Sequence, residues 1–479
     1  MTLTPLRSNL FQDSKELYQF LLKFKQTSLP KKQTKILSIS QEIPAVDPLA
    51  VLQAIGLPGQ LHFYFEKPGQ GEAIAAIDSV TSLKLESPDR FYQSQQFIQS
   101  CLANTTSIGA INLPFSGPHF FCSFTFYNNN LEPDSPFPSA TIFLPRWQIA
   151  FRKNISVVVA NIAINSEVNL QDLSESLWRT FHSIKMAGVE RFNSANLLNI
   201  TIDGRNKFIK QNVTDVTHFK LSVIKALSSI ESKKIDKIVL AHAFDVISPI
   251  PFQLILSLNH LRIRHPDCYI FSTSNGNGQN FIGASPERLI SIHNHKLVTD
   301  ALAGSAARGK TTEEDAEFAN QLLTSEKERR EHRVVIDFIT QRLSQLGLHP
   351  EILSQPKLLQ LLNIQHLWTP IHAQLPADVN PLEIVAQLHP TPAVAGAPTE
   401  IAQEEIRHYE TFNRSLYAAP LGWIDSRGDS EFIVGIRSAL IDGCRARLYA
   451  GAGIVAGSDP EKELAEIQLK LQALLKALV

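Results

Sequence analysis

Glu431-Phe-Ile-Val-Gly-Ile-Arg-Ser-Ala-Leu-Ile441 is followed by Asp442-Gly443, then by Arg445-Ala-Arg-Leu-Tyr-Ala450, then by Gly451-Ala-Gly453-Ile-Val-Ala-Gly457-Ser-Asp-Pro-Glu461. The first run is apolar on both faces and reads as a strand buried on both sides. Asp-Gly is a tight hairpin signal, so the second run returns as an antiparallel partner. The glycines form a loop into a terminal helix, with Pro460 near its first position. In that helix Leu464, Ile467, Leu471, Leu474, Leu475 and Leu478 recur at helical spacing and define the buried stripe. Antiparallel strands closed by a helix predict an α+β protein.

Upstream the same grammar repeats. Helical spacing predicts a helix over Thr217 to Ser229, a strand over Lys237 to Phe244, a helix near Pro251 to Arg264 and a strand over Cys268 to Thr273. Asn275 to Gly278 turns the chain into a strand from Phe281 to Ile292, and His293 to His295 turns it back. A charged helix from about Thr312 restarts at the capping-box pattern Ser325-x-x-Glu328 and carries Glu331. The first ~130 residues read as short strands and loops, among them Tyr127 to Pro136. Val157 to Ile164, rich in β-branched residues and far short of the ~20 residues of a membrane helix, is a buried strand.

Composition narrows the function. The 479 residues are 44% hydrophobic and 19% charged, which is a globular balance. With 45 Lys+Arg against 46 Asp+Glu and no long basic block, nucleic acid is not an expected partner. Cys101, Cys122, Cys268 and Cys444 show neither disulfide nor zinc spacing and are expected as reduced core thiols of a cytoplasmic protein. Met1 to Gln12 has no secretory apolar core and a single Arg, so no leader or transit segment is expected.

Arg437 interrupts the doubly apolar strand, and a buried guanidinium demands an anion, either a protein carboxylate or a carboxylate of the substrate. The glycine run is either a tight strand-to-helix connection or a place where a ligand reaches exposed N–H groups at a helix N-terminus. Glu463, Glu466 and Lys470 lie off the buried stripe, where Glu466 and Lys470 make an i,i+4 pair that needs no function. The same holds for Glu328, Glu331 and His332 in their helix. Lys237 at a strand entry reads equally well as an edge charge.

Read together, nine strings resemble the chorismate-utilising enzymes and, within them, the isochorismate synthases. They are Lys237-Ile-Val-Leu-Ala, Gly283-Ala-Ser-Pro-Glu287, Leu302-Ala-Gly-Ser305, Ser325-Glu-Lys-Glu-Arg-Arg-Glu-His332, Gln365-His-Leu-Trp-Thr369, Leu388-His-Pro-Thr-Pro-Ala393, Gly422-Trp423, Ile436-Arg-Ser-Ala439 and Ala450-Gly-Ala-Gly-Ile-Val-Ala-Gly-Ser-Asp-Pro-Glu461. The resemblance implies one large α/β unit of the anthranilate-synthase-component-I type, with two stacked antiparallel sheets flanked by helices. Residues 1–210 would be a divergent part of that fold and residues 211–479 the chorismate-binding catalytic region.

The resemblance also implies roles. Glu331 and Glu466 would bind one Mg²⁺ that holds the ring carboxylate of chorismate. Arg437 and Tyr417 would hold the enolpyruvyl carboxylate, and backbone around Gly304, Gly451 and Gly453 would approach the ligand with Lys470 near the carboxylates. Ala393 would touch the substrate, and His366 would donate a hydrogen bond beside the ring, although a satisfied core histidine is its plain reading. Lys237 would be the base that activates water at ring C2, which requires it to be neutral part of the time. Glu287 would be the acid that protonates the departing C4 hydroxyl, which requires a raised carboxyl pKa.

Ala303 stands where aminodeoxychorismate synthases place a nucleophilic lysine, and Lys237 argues against the ammonia-using anthranilate synthases. Salicylate synthase, which goes on to eliminate pyruvate, is the rival within the resemblance. A decayed homologue that binds a dicarboxylate as a regulatory protein is the non-enzymatic alternative. No amidotransferase partner and no membrane is implied, and a monomer is expected. His242, Ala419 and Val394 depart from the usual Arg, Gly and Leu, departures that touch pocket shape more than catalysis.

Overall fold

The computed structural model describes residues 10–28, 34–128, 135–187, 208–352, 355–376 and 378–478, apart from the side chain at 473. Most of the amino-terminal segment and the middle of the Tyr127 to Pro136 loop lie outside the described residues.

Two long strands organise the sheet. Glu72–Leu85 and Ala140–Arg152 pair antiparallel from end to end, with a register shift between Ser79 and Thr81, just after Asp78 takes φ of 59°. Beyond that irregularity the two ends of Ala140–Arg152 choose different neighbours. Its first half pairs with His119–Phe124 and its second half with Ile155–Ile164. One hydrogen-bonded network therefore divides into two arms.

The first arm runs outward from the long pair through His62–Lys67, Tyr269–Ser274, Gln279–Ser285, Ser438–Asp442 and Arg445–Val455 to Lys237–Ile247. The second runs from His119–Phe124 through Pro420–Asp425, Ser430–Val434, Arg288–His293 and Lys296–Ala307 to Ile364–Gln374. Among the described residues one pairing is parallel, Lys35–Ile43 with Thr105–Gly109. The arms pack face to face through aromatic rings. Phe63 of the first meets Phe121 of the second with centroids 5.3 Å apart. These are the stacked antiparallel layers expected from the resemblance, joined here through shared strands.

Two of the chain's changes of arm lie close together. Gln279–Ser285 lies in the first arm and Arg288–His293 in the second, so the single strand expected from Phe281 to Ile292 is broken at Pro286-Glu287. Pro286 has no N–H to continue a ladder. The strand expected from Glu431 to Ile441 is likewise broken, into Ser430–Val434 and Ser438–Asp442, with Arg437 at φ 51°. The two crossings bond to each other: Val434 N–H donates to Glu287 O at 3.1 Å and Ala284 N–H to Arg437 O at 3.1 Å. Glu287 and Arg437 thus sit where the sheets exchange strands.

Other expectations need correction. The Gly451 to Val455 segment is a strand continuing Arg445–Val455, paired with Lys237 to Ala241, and the connection to the helix is shorter than expected. The first 130 residues contain three helices among the described residues, Ser14–Ser28, Pro48–Ile55 and Arg90–Ala103. Pro48–Ile55 is capped by Asp47, whose side chain accepts from Leu49 N, with Pro48 in the first turn. Cys122 and Cys268 are buried and free, but Cys101 and Cys444 are half-buried, on a helix end and in a hairpin turn. Among the described residues no helix is long and apolar enough to cross a membrane.

Candidate active site

A cavity lies between the two arms and under two helices. The second arm contributes Lys296–Ala307, where a register shift between Ala303 and Ser305 places Gly304 at φ 76°. A Cβ on Gly304 would stand 3.1 Å from Glu328 Oε2, so the missing side chain admits that carboxylate, which accepts from Ser305 N at 3.1 Å. Glu328 belongs to the helix Glu326–Gln345, whose N-cap Ser325 accepts from Glu328 N at 3.3 Å. Half of the capping box is present, and the Glu328 carboxylate has turned to the cavity instead of closing it. Glu331 follows three residues on.

The terminal helix Pro460–Leu478 presents a second pair at the same spacing. Leu464, Ile467, Leu471, Leu474 and Leu478 are buried, as the periodicity predicts, while Leu475 is half-buried. Glu463, Glu466 and Lys470 line the cavity. Lys470 Nζ sits 2.7 Å from Glu466 Oε1, the i,i+4 pair foreseen as a solvated contact, yet it also donates to Gly451 O at 2.8 Å and so ties the helix to the strand. Burial first, and then the charge of Glu331 and Glu466, raises the Glu328 carboxyl above its usual range. Burial likewise raises Glu463, with Glu466 the larger acidic contributor.

The glycines of Arg445–Val455 make room for side chains. A Cβ on Gly451 would lie 2.8 Å from Tyr417 Oη, and one on Gly453 would lie 3.0 Å from Glu331 Oε1 and 3.2 Å from Lys237 Cε. Lys237, 2% exposed, holds Glu331 Oε1 at 2.7 Å. Burial alone would raise the Glu331 carboxyl, but Lys237, with help from Lys327 and Lys470, keeps it below its usual range. Lys237 is not among the residues lining the cavity, whereas Val239, two residues on, is.

Glu287 and Arg437 line the same cavity. Burial raises the Glu287 carboxyl from 4.5 to about 8 against the opposing pull of Lys237, Arg437 and Lys470. Arg437 has no ion-pair partner within 4 Å among the described residues, so the protein-carboxylate reading of its burial fails. Its guanidinium instead donates to His366 Nε2 at 2.8 Å. Nε2 must then carry the lone pair, which leaves Nδ1–H for Ser305 Oγ at 3.0 Å. Burial and then Arg437 hold His366 well below its usual pKa, in the neutral form. The histidine expected to donate at the ring therefore accepts from Arg437 here.

Tyr417 stacks on Tyr449 with centroids 5.3 Å apart. Ala393 and Val394 form one wall, and Ala303 lies on another. Of the three departures only Val394 lines the cavity. Ala419 is buried in the core, and His242 packs on Phe219 away from the site.

Sequence reasoning assigned no role to Glu328 and Glu463, though a Glu-x-x-Glu spacing on each helix was readable. It also passed over Glu410 and Arg414. Arg414, fully buried, pairs with Glu410 at 2.6 Å and donates to the carbonyls of Val239 and Val394, bracing two walls. The acidic end offers only oxygen donors, which suits a hard divalent cation, and convergence of four carboxylates is repulsive without one. Among the described residues no group of three His, Cys, Asp or Glu side chains is arranged to hold an ion unaided.

The cavity between the two arms thus gathers Arg437, Lys327 and Lys470 with Glu287, Glu328, Glu331, Glu463 and Glu466. The chain belongs to the chorismate binding enzyme family, whose model matches residues 21–479. It is 42% identical over 262 residues to a salicylate biosynthesis isochorismate synthase of Pseudomonas aeruginosa, a match spanning 54% of each chain. That is about half the length of the curated relative. The solved structure of the menaquinone-specific isochorismate synthase of Escherichia coli is similar over 98% of this chain and 100% of that one, with 27% identity and a TM-score of 0.76. Anthranilate synthase component I of Streptococcus pneumoniae shares the fold, with 22% identity, 84% and 92% coverage and a TM-score of 0.67.

Proposed function

We propose that the protein is an isochorismate synthase, a cytoplasmic monomer that interconverts chorismate and isochorismate with Mg²⁺ as cofactor. The observation that carries this reading is a half-buried Arg437 guanidinium with no carboxylate partner among the described residues, set in the same cavity as four glutamates and the Glu287 carboxyl that burial raises to about 8. A ring carrying two carboxylates fits such a polarised site. Arg437 takes the enolpyruvyl carboxylate in charge-assisted hydrogen bonds, with Tyr417 beside it.

Glu331 and Glu466 would hold Mg²⁺, with Glu328 and Glu463 behind them. Such an ion would supply positive charge to neutralise the ring carboxylate of the substrate. Lys237 takes the proton from the water that attacks C2, and Glu287 gives its proton to the C4 hydroxyl as it leaves. At pH 7 a group titrating near 8 is protonated about ten to one, so the acid is loaded before substrate arrives. Ala303 offers no amine to form a covalent adduct, which leaves water as the nucleophile.

Incubation of purified protein with chorismate and Mg²⁺, with chromatographic separation of products, tests the reading. Isochorismate without pyruvate supports it. Salicylate with pyruvate assigns the chain to the rival chemistry, and no conversion refutes the proposal.

A further inference from the structure

Lys237 and Glu331 are both assigned to the reaction above, yet in this structure they neutralise each other. Lys237 Nζ stands 2.7 Å from Glu331 Oε1, and Lys237 is 2% exposed. The contact is built by the backbone. Gly453, directly across the ladder from Val239, carries no Cβ where one would meet Glu331 Oε1 at 3.0 Å and Lys237 Cε at 3.2 Å. The lysine passes beneath that glycine to the carboxylate, which lines the cavity. A lysine held there has its ammonium engaged, and a carboxylate held there has one oxygen engaged.

We propose that Lys237 is a latch that metal loading opens. In the metal-free protein its ammonium serves as the resident counter-ion of Glu331. When Glu331 takes up its divalent ion, Lys237 is displaced, because an ammonium and a divalent ion on the two oxygens of one buried carboxylate repel each other strongly. The released side chain has the Gly453 gap beside it and Val239 already on the cavity wall, so the cavity is the space open to it. Lys327 and Lys470 also act on Glu331 by charge, but neither pairs with it, and Lys470 is engaged with Glu466 and Gly451 O. Metal binding thereby frees the side chain toward the cavity, where it becomes a base once its ammonium has given a proton to water, and until the ion binds the lysine stays buried against Glu331.

The latch rests on the assignment of Glu331 as a metal ligand, and the test separates the two. Mg²⁺ binding is measured by titration calorimetry on the ligand-free full chain, with no substrate and no turnover, for wild type, Lys237→Met, Lys237→Arg and Glu331→Gln. The latch predicts that Lys237→Met binds Mg²⁺ about tenfold or more tighter than wild type, because the competing charge is gone. Lys237→Arg, which keeps the charge, should stay within about threefold of wild type. Unchanged or weaker binding by Lys237→Met, with its thermal melt showing a folded protein, overturns the latch. Unchanged binding by Glu331→Gln instead overturns the metal assignment beneath it.

Discussion

Replacing Arg437 by Ala separates a substrate-binding arginine from a structural one. Its guanidinium is half-buried, donates to His366 Nε2 at 2.8 Å and has no carboxylate partner among the described residues. Removing it orphans no protein charge. The folded protein loses the hydrogen bond to a neutral histidine and the contact with the Cys268 thiol, together about 1–2 kcal/mol, and sheds the cost of desolvating an unpaired charge. The melting temperature of Arg437→Ala should accordingly stay close to that of wild type. Chorismate, in contrast, loses a charge-assisted and desolvated pair worth about 3 kcal/mol, or roughly two orders of magnitude in Kd. Calorimetric titration with chorismate and a thermal melt of the same sample read both quantities. A variant that melts far below wild type but binds normally once folded would refute the reasoning, since the anion for Arg437 would then be internal.

Glu287→Gln should lower forward and reverse kcat/KM by the same factor, because the residue serves both directions and cannot change the equilibrium constant. In wild type the forward kcat should fall as pH rises through about 8, where the acid loses its proton. Stability carries the same sign: a carboxyl at 4.5 unfolded and about 8 folded stabilises fully below 4.5 and loses that contribution as pH rises through about 8, so urea melts of Glu287→Gln should decline less over that window than those of wild type. Glu331→Gln or Glu466→Gln should abolish Mg²⁺-dependent turnover while leaving circular dichroism unchanged, and normal rates with the metal chelated would contradict the assignment. Gly453→Ala places a methyl 3.0 Å from Glu331 Oε1 and should cost roughly 100-fold in kcat/KM through misplacement, with little change in the melt.

Much of the second half was legible because local rules and tertiary structure agree there. Ser325 caps its helix, the leucine stripe of Pro460–Leu478 is buried, and His293 to Lys296 is a tight turn with Asn294 and His295 both at positive φ. The breaks at Pro286-Glu287 and Gly435 to Arg437 were not legible, since a chain that leaves one arm for another stays apolar throughout and periodicity sees no boundary. The same blindness made the glycine run look like a loop, although its pairing with Lys237 to Ala241 is set by residues more than 200 positions away. The helix Pro48–Ile55 escaped because its apolar residues are buried nearly all round, which removes the amphipathic signal but not the Asp47 and Pro48 start signals. For the site, residue identities came from short strings. That Arg437 faces His366, that Lys237 holds Glu331 and that Glu328 turns to Ser305 depend on register and close approach, which no string encodes.

The origin of the new hydroxyl tests the account most directly. Purified protein, chorismate and Mg²⁺ are incubated in ¹⁸O-labelled water, and the products are separated and weighed by mass spectrometry. Water attack at C2 with departure of the C4 hydroxyl predicts isochorismate carrying one solvent oxygen, located at C2, with no pyruvate. Isochorismate formed without label, or no isochorismate at all, would contradict it.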